Sequence, residues 1–313
     1  MDRIDIKVLG GLSRGTSSVG GQPVLRGVFG RIAKTLALDE DTVRKRVNRL
    51  ESAGIFRGWQ LVVNPDILGL KVYVARVAAS PELGIKEAVR KIMLVNGVIS
   101  ITREVVDTLG IAIICENERV FRKRVELISE LAGTKVLTTF AVDYPKLGVR
   151  MSRTDWQIIN AFRPNPSIRY SQVAEKLGIS SRTVQRKLKK LAVGKAIFFR
   201  PIIDFSRFEG ASWVSLFVYY ASSGFKREID RRIFGRFQDY ILRAGWGSAS
   251  HGYFEFISPN VNVLKDIVDW TRGVRGVKEL RLDFNYDRLS LYDDALDEII
   301  AKQGQSRIGM APN

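Results

Sequence analysis

The sequence predicts an α+β protein built from two copies of one unit, and three observations lead to this class. A segment of the first half recurs in the second half, both copies begin with short helical patterns, and both continue with alternating strand and helix patterns. With 313 residues, the chain is long enough for more than one hydrophobic core. Its 45% of hydrophobic and 27% of charged residues are typical of a folded chain.

The internal repeat consists of two segments in the same order. Residues 31–50 (RIAKTLALDEDTVRKRVNRL) align with residues 172–191 (QVAEKLGISSRTVQRKLKKL), and residues 3–12 align with residues 153–162. The two alignments differ in their shift, and the difference falls within residues 13–25. This stretch contains SRGTSSVGGQP, whose glycines and serines predict a loop.

Each copy begins with a helix-turn-helix pattern. A short helix, a tight turn and a second amphipathic helix follow one another, and Val43, Val47 and Leu50 form the buried stripe of the second helix. Asp39 and Ser180 stand where N-caps are expected. Strand patterns that follow at 55–63 and 196–203 are placed like wings. We therefore predict winged helix-turn-helix domains at 1–63 and 151–203, called the first head and the second head.

The remainder of each copy predicts the order β-α-β-β-α-β, which is the ferredoxin-like pattern. These domains are expected at 64–150 and 204–287, followed by a tail at 288–313 with a short acidic helix and a frayed end. In the second copy we predict a helix over 225–242, a strand around 246–250 and a last strand over 277–286. Helices cover one face of such a sheet, so the apolar open face requires a partner.

The charge of the chain points to a polyanionic partner. Its net charge is +17, which favours nucleic acid first and an anionic membrane surface second. Residues 1–63 carry +5 and residues 151–203 carry +9, so most of the surplus lies in the two heads. Phosphate neutralisation requires charge at this place, whereas charge that serves solubility would be spread more evenly.

The outward faces of the second helices are the candidate DNA contacts. Arginine, asparagine and glutamine can bond base edges in a bidentate manner, and lysine binds phosphates. An isolated amphipathic helix would show such a face as plain solvated surface, but the repeated motif and the charge favour contact with double-stranded DNA. The predicted contacts are Thr42, Arg44, Lys45, Asn48 and Arg49 in the first head, and Arg182, Thr183, Gln185, Arg186, Lys189 and Lys190 in the second.

The two heads differ at the start of these helices. The first has Asp39, Glu40 and Asp41, which suit the helix dipole but repel phosphates, whereas the second has Ser180, Ser181 and Arg182. We therefore predict that the second head supplies most of the affinity and that the preferred DNA site is not a palindrome.

Several other classes are excluded on composition. The longest uncharged stretch, residues 210–225, is too short and polar to span a bilayer, and the N-terminus lacks the apolar core of a signal peptide. A single cysteine, Cys115, and a single histidine, His251, exclude an internal disulfide, a cysteine-cluster zinc site and a histidine-pair metal site. We expect no cofactor, no metal, no membrane contact and a cytoplasmic, nucleoid-associated location.

The chain resembles the leucine-responsive regulator/AsnC family of transcription factors. The resemblance is carried by RIDIKVL (3–9), by RIAKTLALDEDTVRKRVNRLESAGI (31–55) and by NPDILGL (64–70), and a second copy carries it in the repeated segments. It implies dimers whose βαββαβ sheets meet face to face, larger homo-oligomeric rings and a small-molecule effector such as an amino acid. Because this chain has two copies, we expect a single-chain pseudo-dimer.

Two alternatives stay open. Siroheme decarboxylases resemble this two-part architecture, pair two related subunits and use histidines and basic residues around a tetrapyrrole. Since His251 is the one histidine available, we favour the regulator and expect no enzymatic activity. A third hypothesis is an interaction scaffold whose heads do not bind DNA.

Overall fold

The fold is described by a computed structural model that covers residues 1–13, 25–246 and 248–305. Most of the loop predicted over 13–25 therefore lies outside the described residues, as does the end of the tail. The helices are α1 (Arg3–Ser13), α2 (Val28–Leu36), α3 (Glu40–Ser52), α4 (Ile85–Ile92), α5 (Glu118–Ala132), α6 (Arg153–Phe162), α7 (Tyr170–Leu177), α8 (Ser181–Val193), α9 (Lys226–Phe237), α10 (Val261–Arg272) and α11 (Tyr292–Gln305). The strands are β1 (Phe56–Val63), β2 (Lys71–Ala78), β3 (Val98–Glu104), β4 (Thr108–Cys115), β5 (Lys135–Val142), β6 (Ile197–Ile203), β7 (Ser212–Tyr220), β8 (Ile241–Trp246), β9 (His251–Ser258) and β10 (Val277–Ser290).

The two halves of the chain have the same order of elements. Three helices and one strand are followed by a β-α-β-β-α-β segment in each half. Asp39 caps α3 by accepting from the amide of Thr42, and Ser180 caps α8 by accepting from the amide of Thr183, as the sequence predicts. The α+β fold with helix-turn-helix and ferredoxin-like parts is confirmed.

The strands of both βαββαβ segments belong to one sheet of eight strands, in the order β5-β2-β4-β3-β10-β7-β9-β8. Strand β10 joins the two halves, because its first part pairs with β7 and its last part, from Asn285 to Ser290, pairs with β3. The inner faces also meet: the ring of Phe140 on β5 lies 6.5 Å from that of Phe217 on β7 and 6.1 Å from that of Tyr253 on β9. The two halves of the sheet are therefore bonded along an edge and packed face to face.

The outer faces of the sheet are covered by helices. In the first half, α4 and α5 bury Ile92 and Ile128 against β2, β3 and β4. In the second half, α9 and α10 bury Ile233 and Ile267 against β7 and β9. Successive side chains of a strand point to opposite faces of the sheet, so each strand contributes residues to both faces. On β7, Leu216 points to the helices and Phe217 points inward.

The heads are joined by a ribbon that the sequence did not predict. Strands β1 and β6, expected as two separate wings, pair with each other antiparallel, with Val63 opposite Ile197 and Leu61 opposite Phe199. Pairing satisfies the backbone groups that each strand would otherwise leave open at its edge. The ribbon ties the two halves of the chain together.

Each head packs on the half of the sheet that belongs to the other copy of the repeat. The core of the first head includes Trp213 on β7 and Ile257 on β9. The core of the second head includes Val72 and Val142 of the first half. Helix α11 completes the second head, because Tyr292 is buried there and its hydroxyl bonds the backbone of Val63.

Three boundaries in the second half differ from the prediction. Helix α9 ends at Phe237, not at 242, and β8 covers Ile241–Trp246, not 246–250. Strand β10 extends to Ser290, four residues beyond its predicted end. The physical reason is strand pairing, since Ile241 pairs with Phe256 of β9 and the end of β10 pairs with β3.

Candidate nucleic-acid interface and central cavity

The basic face of α8 is open to solvent. Val184, Leu188 and Leu191 of this helix are buried in the second head, which turns the positions between them outward. The predicted contacts on this face are all exposed except the half-buried Thr183: Arg182, Gln185, Arg186, Lys189 and Lys190. Within the described part of the chain, no carboxylate forms an ion pair with its four basic members. The face therefore presents four uncompensated positive charges.

The matching face of α3 is partly neutralised. Arg44 pairs with Glu40 one turn earlier on the same helix, and Arg49 lies 3.5 Å from Asp2. Lys45 and Asn48 are both exposed, and Lys45 forms no ion pair with a described residue. Of the predicted basic contacts in the first head, Lys45 alone therefore forms no ion pair with a described carboxylate.

The two predicted threonine contacts serve as part of the helix caps. The Thr42 hydroxyl donates to the Asp39 carboxylate at 2.6 Å, and this hydroxyl bond and the bond from the Thr42 amide lower the pKa of Asp39. The Thr183 hydroxyl lies 2.9 Å from that of Ser180. Their position at the start of the helix is as predicted, but both hydroxyls already have partners.

In each head, a buried carboxylate pairs with a basic residue that lies beside the buried face of α3 or α8. Asp155 of α6 accepts a hydrogen bond from Lys187 at 2.8 Å, and Asp5 of α1 lies 3.2 Å from Arg46. Burial acts to raise the pKa of Asp155, but the bonds from Lys187 and Ser152 outweigh it, so the pKa lies below its usual value. These contacts explain why Arg46 and Lys187 do not belong to the outward faces.

A cavity of about 410 Å³ lies between the inner faces of the sheet and beneath the ribbon of β1 and β6. Its apolar wall includes Phe140, Phe217 and Ile99, and tyrosines 144, 253 and 292 also line it. Its charged wall contains five arginines and four carboxylates: Arg57, Arg76, Arg200, Arg243, Arg288, Glu104, Asp204, Glu255 and Asp287. No pattern in the sequence points to this site.

Two buried ion-pair clusters form the charged wall. Arg76 of β2 pairs with Glu104 at 2.5 Å and with Asp283 at 2.8 Å, and its Nη1 atom is buried without a hydrogen-bond partner among the described residues. On the other side, Glu255 of β9 is fully buried, 2.5 Å from Arg288 and 3.8 Å from Arg243. The second cluster carries more positive than negative charge.

The charges in this cluster act on one another. Burial lowers the pKa of Arg243 to about 10; Glu255 opposes this effect, and Arg288 and Arg200 lower the pKa further. Burial acts to raise the pKa of Glu255, but Arg288 and Arg243 hold it at about 2. Glu255 is therefore ionised at neutral pH.

His251 is a buried side chain beside this cavity. Its ring lies 5.1 Å from that of Phe140, and its Nδ1 atom bonds the hydroxyl of Ser248. Burial, with a smaller contribution from Lys226, lowers the pKa of His251 to about 4. It is neutral at physiological pH. Among the described residues, no group of histidine, cysteine or acidic side chains could hold a metal ion, and no helix could cross a bilayer.

Sequence comparison relates the chain to helix-turn-helix regulators. The AsnC-type helix-turn-helix domain matches residues 151–192, which contain α6, α7 and nearly all of α8. The HTH-type transcriptional regulator Ptr1 of Methanocaldococcus jannaschii is 29% identical over 148 residues, 45% of this chain and 94% of Ptr1. The regulator LrpA of Pyrococcus abyssi is 44% identical over 55 residues, 17% of this chain and 39% of LrpA. The predicted relationship to Lrp/AsnC regulators is confirmed.

Structural comparison corrects one expectation. The siroheme decarboxylase NirDL superposes over 97% of this chain and 99% of its own, with a TM-score of 0.52 and 13% identity. A second NirDL structure, with an iron-uroporphyrin III analogue, superposes with a TM-score of 0.50. At this identity the match establishes the fold alone. The expectation of no enzymatic activity is contradicted by this comparison, because NirDL, which shares the fold over nearly the whole chain, is an enzyme.

Proposed function

We propose that this chain, which carries an AsnC-type helix-turn-helix domain and is related to Lrp/AsnC regulators, is a sequence-specific regulator that binds double-stranded DNA as a single-chain pseudo-dimer. The observation that carries the proposal is the exposed face of α8, where Arg182, Arg186, Lys189 and Lys190 are free of ion pairs with described residues. Such a face suits the negative backbone and base edges of a major groove.

The arrangement of the two halves supports the pseudo-dimer. The inner faces of the sheet pack together, and the ribbon of β1 and β6 joins the heads, so both heads are held on one framework. We place the domains at 1–63, 64–150, 151–203 and 204–287, with a tail at 288–313 whose first three residues complete β10. A cytoplasmic, nucleoid-associated location follows from this function, and association into larger rings is a further part of the proposal.

The candidate contacts are not expected to contribute equally to DNA binding. We assign the main DNA contacts to the five exposed residues of the α8 face and to Lys45 and Asn48 of α3. Arg44 and Arg49 would have to exchange their carboxylate partners for DNA, and the hydroxyls of Thr42 and Thr183 would have to leave their caps. The first head therefore contributes the weaker half of the interface.

Selection of bound sequences from a random duplex pool, with the full chain, tests this function. We expect enrichment of one site with two unlike half-sites, spaced about 10 bp apart or a multiple of that. Absence of enrichment at low salt would contradict the proposal and would favour an interaction scaffold.

A second candidate function is enzymatic chemistry on a tetrapyrrole that bears carboxylates. It is favoured by the superposition on NirDL together with the five arginines of the central cavity. Titration of the chain with siroheme and with iron-uroporphyrin III tests it. A shift of the Soret band with saturation at one equivalent, followed by loss of carboxylate groups from siroheme in mass spectra, would support it; unchanged spectra would exclude it.

A further inference from the structure

We infer that the linker between the two halves of the chain (residues 144–151) is a further DNA contact, in which Lys146 and Arg150 bind backbone phosphates on the outer side of the second half-site. The inference rests on the proposed DNA-binding function and extends its interface beyond α3 and α8. The linker joins β5 to α6 and has no regular secondary structure.

The backbone of the linker is held against the end of α8. The amide of Gly148 donates to the carbonyl of Gly194, which directly follows α8, at 2.9 Å. The side-chain amide of Asn64, a fully buried residue, donates to the carbonyls of Pro145 and Lys195 at 3.0 and 2.9 Å. The linker therefore has a fixed place beside the helix that is proposed to enter the major groove.

Side-chain packing fixes the same contact. A Cβ atom on Gly194 would lie 2.6 Å from the Cβ atom of Val149, so a larger residue at this position would clash with the linker. Val149 and Met151 are partly buried against the core of the second head. Burial alternates along the segment as in an extended chain, and this turns Lys146 and Arg150 to the solvent.

The two exposed cations enlarge the basic surface of the second head. Within the part of the chain that the structure describes, neither Lys146 nor Arg150 forms an ion pair. The carbonyl of Lys190, a member of the α8 face, accepts from the Gly194 amide at 2.9 Å, so the linker meets α8 within one turn of that face. Four residues of extended chain span at most about 14 Å, and each DNA strand carries a phosphate every 3.4 Å or so along the axis. The linker is therefore long enough to contact two phosphates.

The ribbon places the linker on the side of the second head that faces away from the first. Phe56, which follows the first head, pairs with Ile203 at one end of the ribbon, and Val63 pairs with Ile197, which follows the second head, at the other. The linker is bonded to Asn64, just beyond the Val63 end. Its cations thus flank the outer border of the second half-site.

The first head has the opposite charge in the matching region. Asp2, the residue before α1, lies 3.5 Å from Arg49 of α3. In the internal repeat this aspartate corresponds to Ser152, which directly follows the linker. Since a carboxylate repels phosphates, we expect the additional contact on the side of the second head alone.

Fluorescence anisotropy with the full chain and three duplexes tests the contact. One duplex ends at the borders of the selected site, and the other two carry roughly six more base pairs beyond one half-site or the other. The half-site of the second head is the one that loses protection from hydroxyl radicals in Arg186→Glu with Lys190→Glu. Relative to the opposite extension, we expect the extension beyond this half-site to lower Kd by about fivefold at roughly 0.1 M salt and to steepen the salt slope by about 2.

Two double variants assign this gain to the linker. Lys146→Gln with Arg150→Gln changes two exposed side chains, so it should leave Tm and binding to the short duplex unchanged and abolish the gain. Arg227→Gln with Arg231→Gln removes two exposed charges of α9, which form no ion pair with described residues, and should keep the gain. A full gain in the linker variant would overturn the inference.

The outcomes separate the linker contact from the proposed function. Binding of the short duplex with equal gains from the two extensions would overturn the linker contact and leave the regulator supported. Absence of binding to all three duplexes at low salt would contradict the regulator and the linker contact together.

Discussion

Lys187 of α8 donates a hydrogen bond to the buried carboxylate of Asp155 on α6 at 2.8 Å. The same relationship recurs in the first head between Arg46 of α3 and Asp5 of α1. Each pair joins the first helix of a head to the helix that is proposed to enter the groove. This recurrence explains why each of these helices has a basic residue beside its buried face.

Removal of the Asp155 carboxylate should destabilise the second head. In Asp155→Ala, Lys187 loses its carboxylate partner, and Ser152 loses the two bonds that its amide and hydroxyl donate to that carboxylate. Because breaking a buried pair leaves an uncompensated group, we expect a loss of about 3 kcal/mol in the free energy of unfolding from urea titrations. Glu175→Ala, on the exposed face of α7, is the matched control and should change it little. Equal losses would show that the pair does not hold the head.

Charge reversal should weaken DNA binding unequally in the two heads. Arg186→Glu with Lys190→Glu removes two free cations, whereas Lys45→Glu with Arg49→Glu removes one free cation and one that already has a carboxylate neighbour. We expect the first pair to raise Kd by about tenfold or more and the second pair to raise it less, measured by fluorescence anisotropy on the selected duplex. Equal losses, with unchanged Tm for both variants, would contradict the asymmetry.

The salt dependence of DNA binding should report the number of phosphates neutralised. With about six phosphates, log Kobs plotted against log salt should have a slope near −5. In Arg186→Glu with Lys190→Glu, the slope should become shallower by about 2. A slope near zero would mean that the basic face of α8 does not contact the DNA backbone.

Acid should destabilise the chain through His251. Its folded pKa of about 4 lies below the unfolded value of 6.5, so the unfolded state binds the proton first as the pH falls. The contribution is intact above pH 6.5 and is lost between 6.5 and about 4, a change of about 3 kcal/mol. His251→Phe suits the surrounding aromatic rings and should flatten the pH dependence in urea titrations over this window. The same slope in both proteins would assign the acid sensitivity to other groups.

The elements could be read from the sequence where one periodicity was unambiguous. The stripe of Val43, Val47 and Leu50 and the caps Asp39 and Ser180 lie as predicted. The end of α9 could not be located in this way, because Ile241 continues the four-residue spacing of Ile229, Ile233 and Phe237 yet pairs as a strand with β9. Long-range pairing decided that boundary, and spacing along the chain carries no information about it.

The candidate site was predictable only in part. Exposure of Lys45, Asn48 and the α8 face follows from helical periodicity, which the structure reproduces. The ion pair of Arg49 with Asp2 joins residues far apart in sequence, and the cavity brings arginines from β1, β2, β6, β8 and β10 to one place. No local pattern marks such residues, because the site forms only where five strands that are far apart in sequence meet.

Strand β10 couples the unfolding of the two halves of the sheet. One continuous backbone segment is bonded to β7 at its beginning and to β3 at its end, so neither half of the sheet can open without breaking a ladder that it shares with the other. Loss of strand pairing in one half therefore weakens the pairing in the other half as well. On heating, the βαββαβ halves should melt in a single transition, and amide protons of β3 and β7 should exchange with deuterium at matching rates.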